Sequence, residues 1–477
     1  MRTINKQLEI RWNGTDWIDE TAYLEGASGD ILLVGGSSSA LIGTAQANSV
    51  RIRLNNSTKR FSAEYAAGAL YAYIGSGKMR TVSVRLKIGV DEAATHMFSG
   101  AIDGWDEDTK AHITTLACLD GSHVAIDFAT STALYCNKRT DQYIAILLAL
   151  IGDVSAVVDP GLYHLPFTWM DDESIYQELR AIVDAEMGRM FYDAAGILHI
   201  ENAVHWLKHA SSQHTFTVAN FGSCLLGYDW QGFANDVRIE YTPRAASRTQ
   251  QIWSGGEPYL LKPGEVRIVT CRLMNPAVSV ADLVVGVDIL ASSSYGLDVN
   301  GQISWELIST TAQTLTYEIT NNHATYGLFI THFVVRGIPV LGRLSRKVFA
   351  LNQSSIDTYG RVVRTLPVNI YVQTEAHAQS IANMMCDRLS TPRLRYRLDS
   401  VPGVTGLTLG DRVTLVEAHS GSSLDCFITR ITWSLVNKFT MTFELLESDL
   451  FQVDDYFLWG TSKYGNASQE NHGHLWY

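Results

Sequence analysis

His199, Glu201, His205, His209 and His214 form the densest group of metal-capable side chains in the sequence. On a continuous helix Glu201, His205 and His209 would share one face at i, i+4 and i+8, the spacing that places two histidines on one zinc ion. Ile197-Leu-His-Ile200 reads as a strand, which takes Glu201 off such a helix, and the Glu of an H-E-x-x-H motif is missing. These histidines therefore read as solvated or capping groups. Gly75-Ser-Gly-Lys78 invites a phosphate-loop reading, but that motif needs Gly where Ala72 stands and Ser or Thr where Met79 stands. Tyr71, Tyr73 and Ile74 before it and Val82 and Val84 after it suggest a hairpin turn. Asp171-Asp172-Glu173 could supply acid–base carboxylates. Its place just before a helix near Ser174 gives a simpler role, complementing the positive end of the helix dipole. No G-x-S-x-G occurs, and no Cys has a nucleophile's setting. The expectation is no catalytic residue, no cofactor-binding residue, no metal ligand and no cofactor.

Six cysteines, Cys118, Cys136, Cys224, Cys271, Cys386 and Cys426, are scattered without a C-x-x-C pair. They read as reduced structural thiols of a protein folded in cytoplasm. Eleven tryptophans raise the question of sugar stacking. Trp12, Trp17, Trp105, Trp206, Trp230, Trp253, Trp305 and Trp433 mostly lie in strand-like runs, where core packing is the default. Trp253, in a polar Gly-rich loop, is the best candidate for exposure, and Trp459 and Trp476 read as anchors on a neighbouring protein.

The elements that would position these groups are mostly strands. Leu8, Ile10 and Trp12 alternate with polar residues, as do Val50, Ile52 and Leu54 with Arg51 and Arg53, and Val82, Val84, Leu86 and Ile88. Ile144, Leu147, Leu148 and Ile151 change to helical spacing, with Gly152 placed to end the helix. A second helix begins at Ser174, whose hydroxyl with Gln177 gives a capping-box pattern, and carries Ile175, Leu179, Ile182 and Glu186 inward. Met190-Phe-Tyr192 and Ile197-Leu-His-Ile200 flank a turn at Asp193-Ala-Ala-Gly196. Between about Ala246 and Gly342 the chain is poor in charge, with candidate strands at residues 266–271, 283–290, 303–307, 314–319 and 327–336. Thr374 can cap a helix running to about Leu389, before Pro392. Leu394, Tyr396 and Leu398 then alternate with Arg393, Arg395 and Arg397, and strands follow at residues 413–416, 427–433 and 439–446.

The hydrophobic share of 46% and charged share of 18% are those of a folded globular chain of 477 residues. A net charge of −12 argues against a tight grip on nucleic acid, because affinity for phosphate comes from Lys and Arg. A negative wall would instead let nucleic acid slide past. The first residues lack the apolar core of a signal peptide, and the longest apolar run, from Ile144 to Ile151, is too short to cross a bilayer. The expectation is a soluble protein that does not insert into a membrane.

Two passages carry a family resemblance. One is Asn55-Asn56 and Phe61-Ser62 followed by Met97-Phe-Ser-Gly-Ala-Ile-Asp103. The other is the helix from Thr374 to Leu389, leading through Arg393-Leu-Arg-Tyr-Arg397 into Leu407-Thr-Leu-Gly-Asp-Arg-Val-Thr-Leu415. Together they resemble the central hub proteins of bacteriophage tail tips and baseplates, over most of the chain to Leu450. The resemblance implies a mainly β, multidomain fold with two tail-tube-like β-barrel units, an α+β module and an inserted β-sandwich. The units would be a barrel at residues 1–130, the module at 131–210, a second barrel at 211–245 and 343–450, the sandwich at 246–342 and an extended arm at 451–477. It further implies a homotrimeric ring at the tail tip of a virion, assembled in host cytoplasm. The ring would join tail-tube or distal tail proteins to tip or fibre proteins, and possibly the tape measure protein, with DNA present only in transit. A receptor- or glycan-binding tail protein, or a tip-borne wall hydrolase, are the alternatives.

Overall fold

The computed structural model describes all residues except 1–2, 33–47, 79–81, 153, 206–210, 294–298, 417–420, 422 and 448–477. The fold is mainly β, in several sheets. The period-two stretches are strands with one buried face: in Ser49–Asn55, Val50, Ile52 and Leu54 are buried while Arg51 and Arg53 are exposed. Ser83–Val90 buries Val84, Leu86 and Ile88 in the same way. Alternation of this kind sets register, because a slip of one residue would turn the apolar set to solvent.

Strands from both ends of the chain join in a single thirteen-stranded sheet. Eleven of them follow the path Ser223–Tyr228, Leu394–Pro402, Phe439–Glu447, Ser423–Leu435, Leu24–Leu32, Ser49–Asn55, Ile113–Leu119, Thr95–Asp108, Ser83–Val90, Ile4–Arg11 and Ile18–Asp19, while Arg412–Val416 and His214–Phe216 branch off at Ser423–Leu435. The joint between the halves is antiparallel, from Ala27 opposite Leu435 to Leu32 opposite Arg430. The strands expected in two barrel units thus share one hydrogen-bonded path. Gly29 faces Trp433 there, and a Cβ on Gly29 would lie 2.6 Å from the indole, so only glycine fits. Arg430 fastens the joint on its polar side by pairing with Asp30 and, at 3.5 Å, with Glu444.

Among the described residues three helices have more than ten residues. Thr140–Ile151 ends at Gly152, whose φ of 95° is costly for any residue with a Cβ. Ile175–Ala185 is capped by Ser174, whose Oγ accepts from the Gln177 N–H at 3.3 Å. Beside it Arg189–Tyr192 and Leu198–Glu201 pair antiparallel, and Ala156–Val158 joins in parallel. The turn is held by Asp193 Oδ1, which accepts from the N–H groups of Ala195 and Ile197, both at 2.9 Å. Glu375–Leu389, capped by Thr374 Oγ1 at 3.2 Å from the His377 nitrogen, packs on a sheet of Arg346–Leu351, Asp236–Tyr241 and Val363–Leu366.

A second hydrophobic cluster, separate from the main one, contains Leu261, Cys271, Leu315, Tyr317, Ile319, Phe333 and Val335. It lies between the sheet Val266–Arg272, Thr314–Asn321, Ile303–Thr310 and the long strand Leu328–Gly342 with its partners. The strands that enter and leave this region pair directly, Arg244 opposite Gly342.

Three sequence expectations are corrected. Residues 71–78 are not a hairpin: Tyr71–Ile74 is one helical turn, followed by a 3-10 turn at Gly75–Gly77. Ile74 sits fully buried there, so its apolar character marks an anchor and not a strand. Residues 283–290 are mostly a turn, with strand only from Ile289. Gly286 takes a φ of 88° and Asp288 Oδ2 accepts from the Val284 N–H at 2.9 Å, which stops the run from extending. Trp253 is half-buried in an edge-to-face contact with Phe333, ring centroids 5.1 Å apart, while Trp230 is 56% exposed. Met79, Trp206, His209, Trp459 and Trp476, with the whole expected arm at 451–477, lie outside the described residues.

Candidate functional site

The histidine group is only partly brought together. Glu201 closes a strand and His205 follows on a short turn, yet His205 Nε2 comes 3.2 Å from Glu201 Oε1. His205 Nδ1 lies 2.7 Å from Asp159 Oδ2, and the buried Arg189 guanidinium pairs with the other oxygen of Glu201. Burial pushes Arg189 down to about 10, with Glu201 beside it acting in the opposite direction. The expectation of solvated or capping histidines is corrected for His205, whose two ring nitrogens link Asp159 and Glu201. His199 stacks on Phe191 at 5.2 Å and pairs with Asp193 at 3.1 Å, which holds the imidazole pKa above its usual value. His214 lies apart, on the strand His214–Phe216. Among the described residues no group of three or more His, Cys, Asp or Glu could hold a metal ion.

Asp171-Asp172-Glu173 does more than complement a dipole. Asp171 Oδ2 lies 3.3 Å from Arg272, and Trp169 Nε1 donates to Gln313 Oε1 at 2.8 Å. The Arg244 guanidinium stacks 4.4 Å over the Trp169 ring, and Ala312 donates to the Thr132 carbonyl at 2.8 Å. These contacts fasten the charge-poor region to the helical module around a cleft of about 240 Å³. Of the cleft's polar side chains, Trp169 pairs with Gln313, while Gln373 bonds the backbone of Phe167.

Two carboxyls that sequence reasoning did not single out as sites are the most perturbed of the acidic side chains. Glu178 is pushed up to about 7 by burial, opposed by hydrogen bonds from Tyr371 and Tyr143. Glu186 is also pushed up to about 7 by burial, opposed by Thr140 and by the N–H groups of Leu162 and Tyr163. Perturbed carboxyls often mark acid–base sites. These two are enclosed, however, and each uses its Oε1 to tie helices and a loop together. The sequence signal for Glu178 was its place on the Ile175, Leu179, Ile182 face. Ser99 and His96 form a nucleophile-like pair, Oγ to Nδ1 at 3.3 Å. The Ser99 hydroxyl also donates to the Ala194 carbonyl at 3.0 Å, and a hydroxyl has only one proton to give.

Large apolar side chains also reach solvent. On the sheet Arg346–Leu351, Asp236–Tyr241, Val363–Leu366, one face packs on the helix Glu375–Leu389. The other carries Phe349, Leu351 and Val363 into solvent, Phe349 at 63% exposure. Leu344, Met274 and Ile268 are exposed elsewhere.

No protein-family model matches the chain, and no curated protein matches it in sequence. Solved structures similar to it include phage-type tail proteins. The 43 kDa tail protein of prophage MuSo2 from Shewanella oneidensis has 10% identity and a TM-score of 0.48, over 93% of this chain and 98% of that one. A tail protein from Neisseria meningitidis MC58 has 11% identity and a TM-score of 0.49, over 94% and 98%. A prophage tail protein from Listeria monocytogenes EGD-e has 7% identity and a TM-score of 0.45, over 93% and 94%.

Proposed function

We propose that the chain is a structural subunit of a phage-type tail: the central hub at the tail tip, non-catalytic, forming a homotrimeric ring in the virion. The ring joins tube proteins above to tip or fibre proteins below and lets DNA pass. The observation that carries this reading is the set of large apolar side chains left in solvent on separate faces, Phe349, Leu351 and Val363 on one sheet and Ile268 and Met274 on another region. Soluble monomers rarely expose contiguous apolar patches, and their usual meaning is an interface. Closed rings bury two such faces on each copy through head-to-tail contacts.

Charge supports the passage of DNA. Of the arginine row, Arg395 pairs with Glu444 at 2.7 Å, Arg397 pairs with Asp399 at 3.0 Å, and Arg393 is buried. Cations neutralised in this way add little affinity for phosphate. The test is native mass spectrometry of the purified chain, alone and with candidate neighbours from the same genome. A trimer is expected. A monomer at every concentration, which also fails to enter assembled tails, would overturn the reading.

A further inference from the structure

The cleft of about 240 Å³ between the helical module and the charge-poor region is walled by residues from distant parts of the chain. Gln373 Nε2 donates there to the carbonyls of Phe167 and Ile370, at 2.7 and 3.0 Å, and its Oε1 accepts from the Phe167 N–H. The Tyr371 hydroxyl donates to Glu178, and Asp171 pairs with Arg272 at 3.3 Å. Three other groups on the wall are unspent. Gln313 Oε1 accepts from Trp169, which leaves the Gln313 amide N–H groups without an acceptor among the described residues. Thr168 is buried, and its hydroxyl has no partner among them either. The third group is the Arg244 guanidinium, which stacks on Trp169 and makes no hydrogen bond or ion pair to a described residue.

Among the described residues burial lowers the pKa of three arginines, Arg189, Arg244 and Arg364. Glu201 acts in the opposite direction on Arg189, and Asp229 does so on Arg364. No carboxylate does so for Arg244. A partly desolvated charge without a counter-ion is costly, and folded chains normally pair it. All three unspent groups can donate a hydrogen bond, and the guanidinium fork matches the two oxygens of a carboxylate. Asp171 and Glu173 line the same cleft, so a second negative charge on a ligand would meet repulsion. Phe167 and Ile370 add apolar surface for the ligand's body. That body is short, because the volume lies below the roughly 300–1,000 Å³ of sites for drug-sized molecules.

We propose that this cleft binds the carboxylate of a small, singly charged molecule with a short apolar body. Arg244 is its counter-ion, and the Gln313 amide and the Thr168 hydroxyl are its further donors. Arg244 lies on the strand that enters the charge-poor region, Gln313 lies within that region, and Thr168 belongs to the helical module. The bound molecule therefore clamps the region to the module. The site is independent of the tail function proposed above.

The test is calorimetric titration of the full chain with benzoate, and with benzamide as its uncharged counterpart. Benzoate is expected to bind one site with a Kd of about 1 mM or lower, and benzamide at least tenfold more weakly. Arg244→Gln should weaken benzoate at least tenfold. Gln313→Glu, which keeps an acceptor for Trp169 but sets a negative charge against the ligand, should do the same. Saturating benzoate should slow amide exchange at residues 311–314 in the natural chain and leave it unchanged in both variants. Absence of saturable binding, equal affinity for benzamide, or natural affinity in either variant that folds would overturn the proposal. Tighter binding of inorganic phosphate, or of a capped Gly-Glu-Gly peptide, would also overturn it, by giving the cleft to a phosphate or to a protein side chain.

Discussion

Gly29→Ala tests the joint that makes one sheet of the two ends of the chain. Its added methyl would lie 2.6 Å from Trp433 Cε2 and Nε1 and 2.7 Å from Cζ2. That is about 1 Å inside ordinary carbon contact. Trp433 is 1% exposed and cannot swing into solvent. Overpacking of this kind costs about 1–3 kcal/mol. The unfolding entropy of a chain this long is about 1 kcal/mol per kelvin, so the Tm would move only a few degrees or less. Local amide exchange is the sharper assay: about 2 kcal/mol speeds opening of residues 27–32 and 430–435 roughly 30-fold. Trp433→Phe removes the clashing atoms and an indole N–H that has no acceptor among the described residues. In that background Gly29→Ala should cost at least about 1 kcal/mol less, read as a double-mutant cycle. Natural exchange in Gly29→Ala, or the same penalty in both backgrounds, would refute the packing argument.

Glu178→Gln should flatten part of the pH dependence of stability. The folded-state pKa of about 7 lies above the ordinary 4.5, so this group's contribution is full below about 4.5 and is lost as pH rises through 7. The natural protein should lose about 3 kcal/mol from this group over that window, and denaturant titrations at pH 5 and pH 8 should show the variant losing clearly less. Thr374→Ala removes the cap of the helix Glu375–Leu389 and should cost about 1 kcal/mol, measured by urea unfolding. Replacing residues 247–340 by a short Gly-Ser linker should leave the main cluster folded, because Arg244 and Gly342 pair directly. Loss of native exchange protection in the Glu375–Leu389 helix would contradict this.

The sequence carried local structure well. The Val50, Ile52, Leu54 alternation identified a strand because burial of one face has period two, and Ser174 and Thr374 identified helix starts because a hydroxyl there meets unpaired N–H groups. It carried long-range pairing poorly. Nothing near Gly29 says that Trp433 lies opposite, since partners in an antiparallel sheet need only matching faces. Ser223–Tyr228 went unread because Leu225-Leu226-Gly227 does not alternate, and that same irregularity leaves apolar groups on both its faces. In the candidate sites, residue types were legible but their roles were not: Asp171 pairs with Arg272 across a fold boundary, and Glu178 is held by Tyr371 from nearly two hundred residues away.

In the proposed function the chain is built into a tail as a ring at its tip. Purified particles from a host carrying this gene, imaged by cryo-electron microscopy with an antibody fragment against the Ala246–Gly342 region, test it most directly. The expected result is three fragments around the axis at the distal end of each tail. Particles with complete tails that contain no copy of the chain would contradict it.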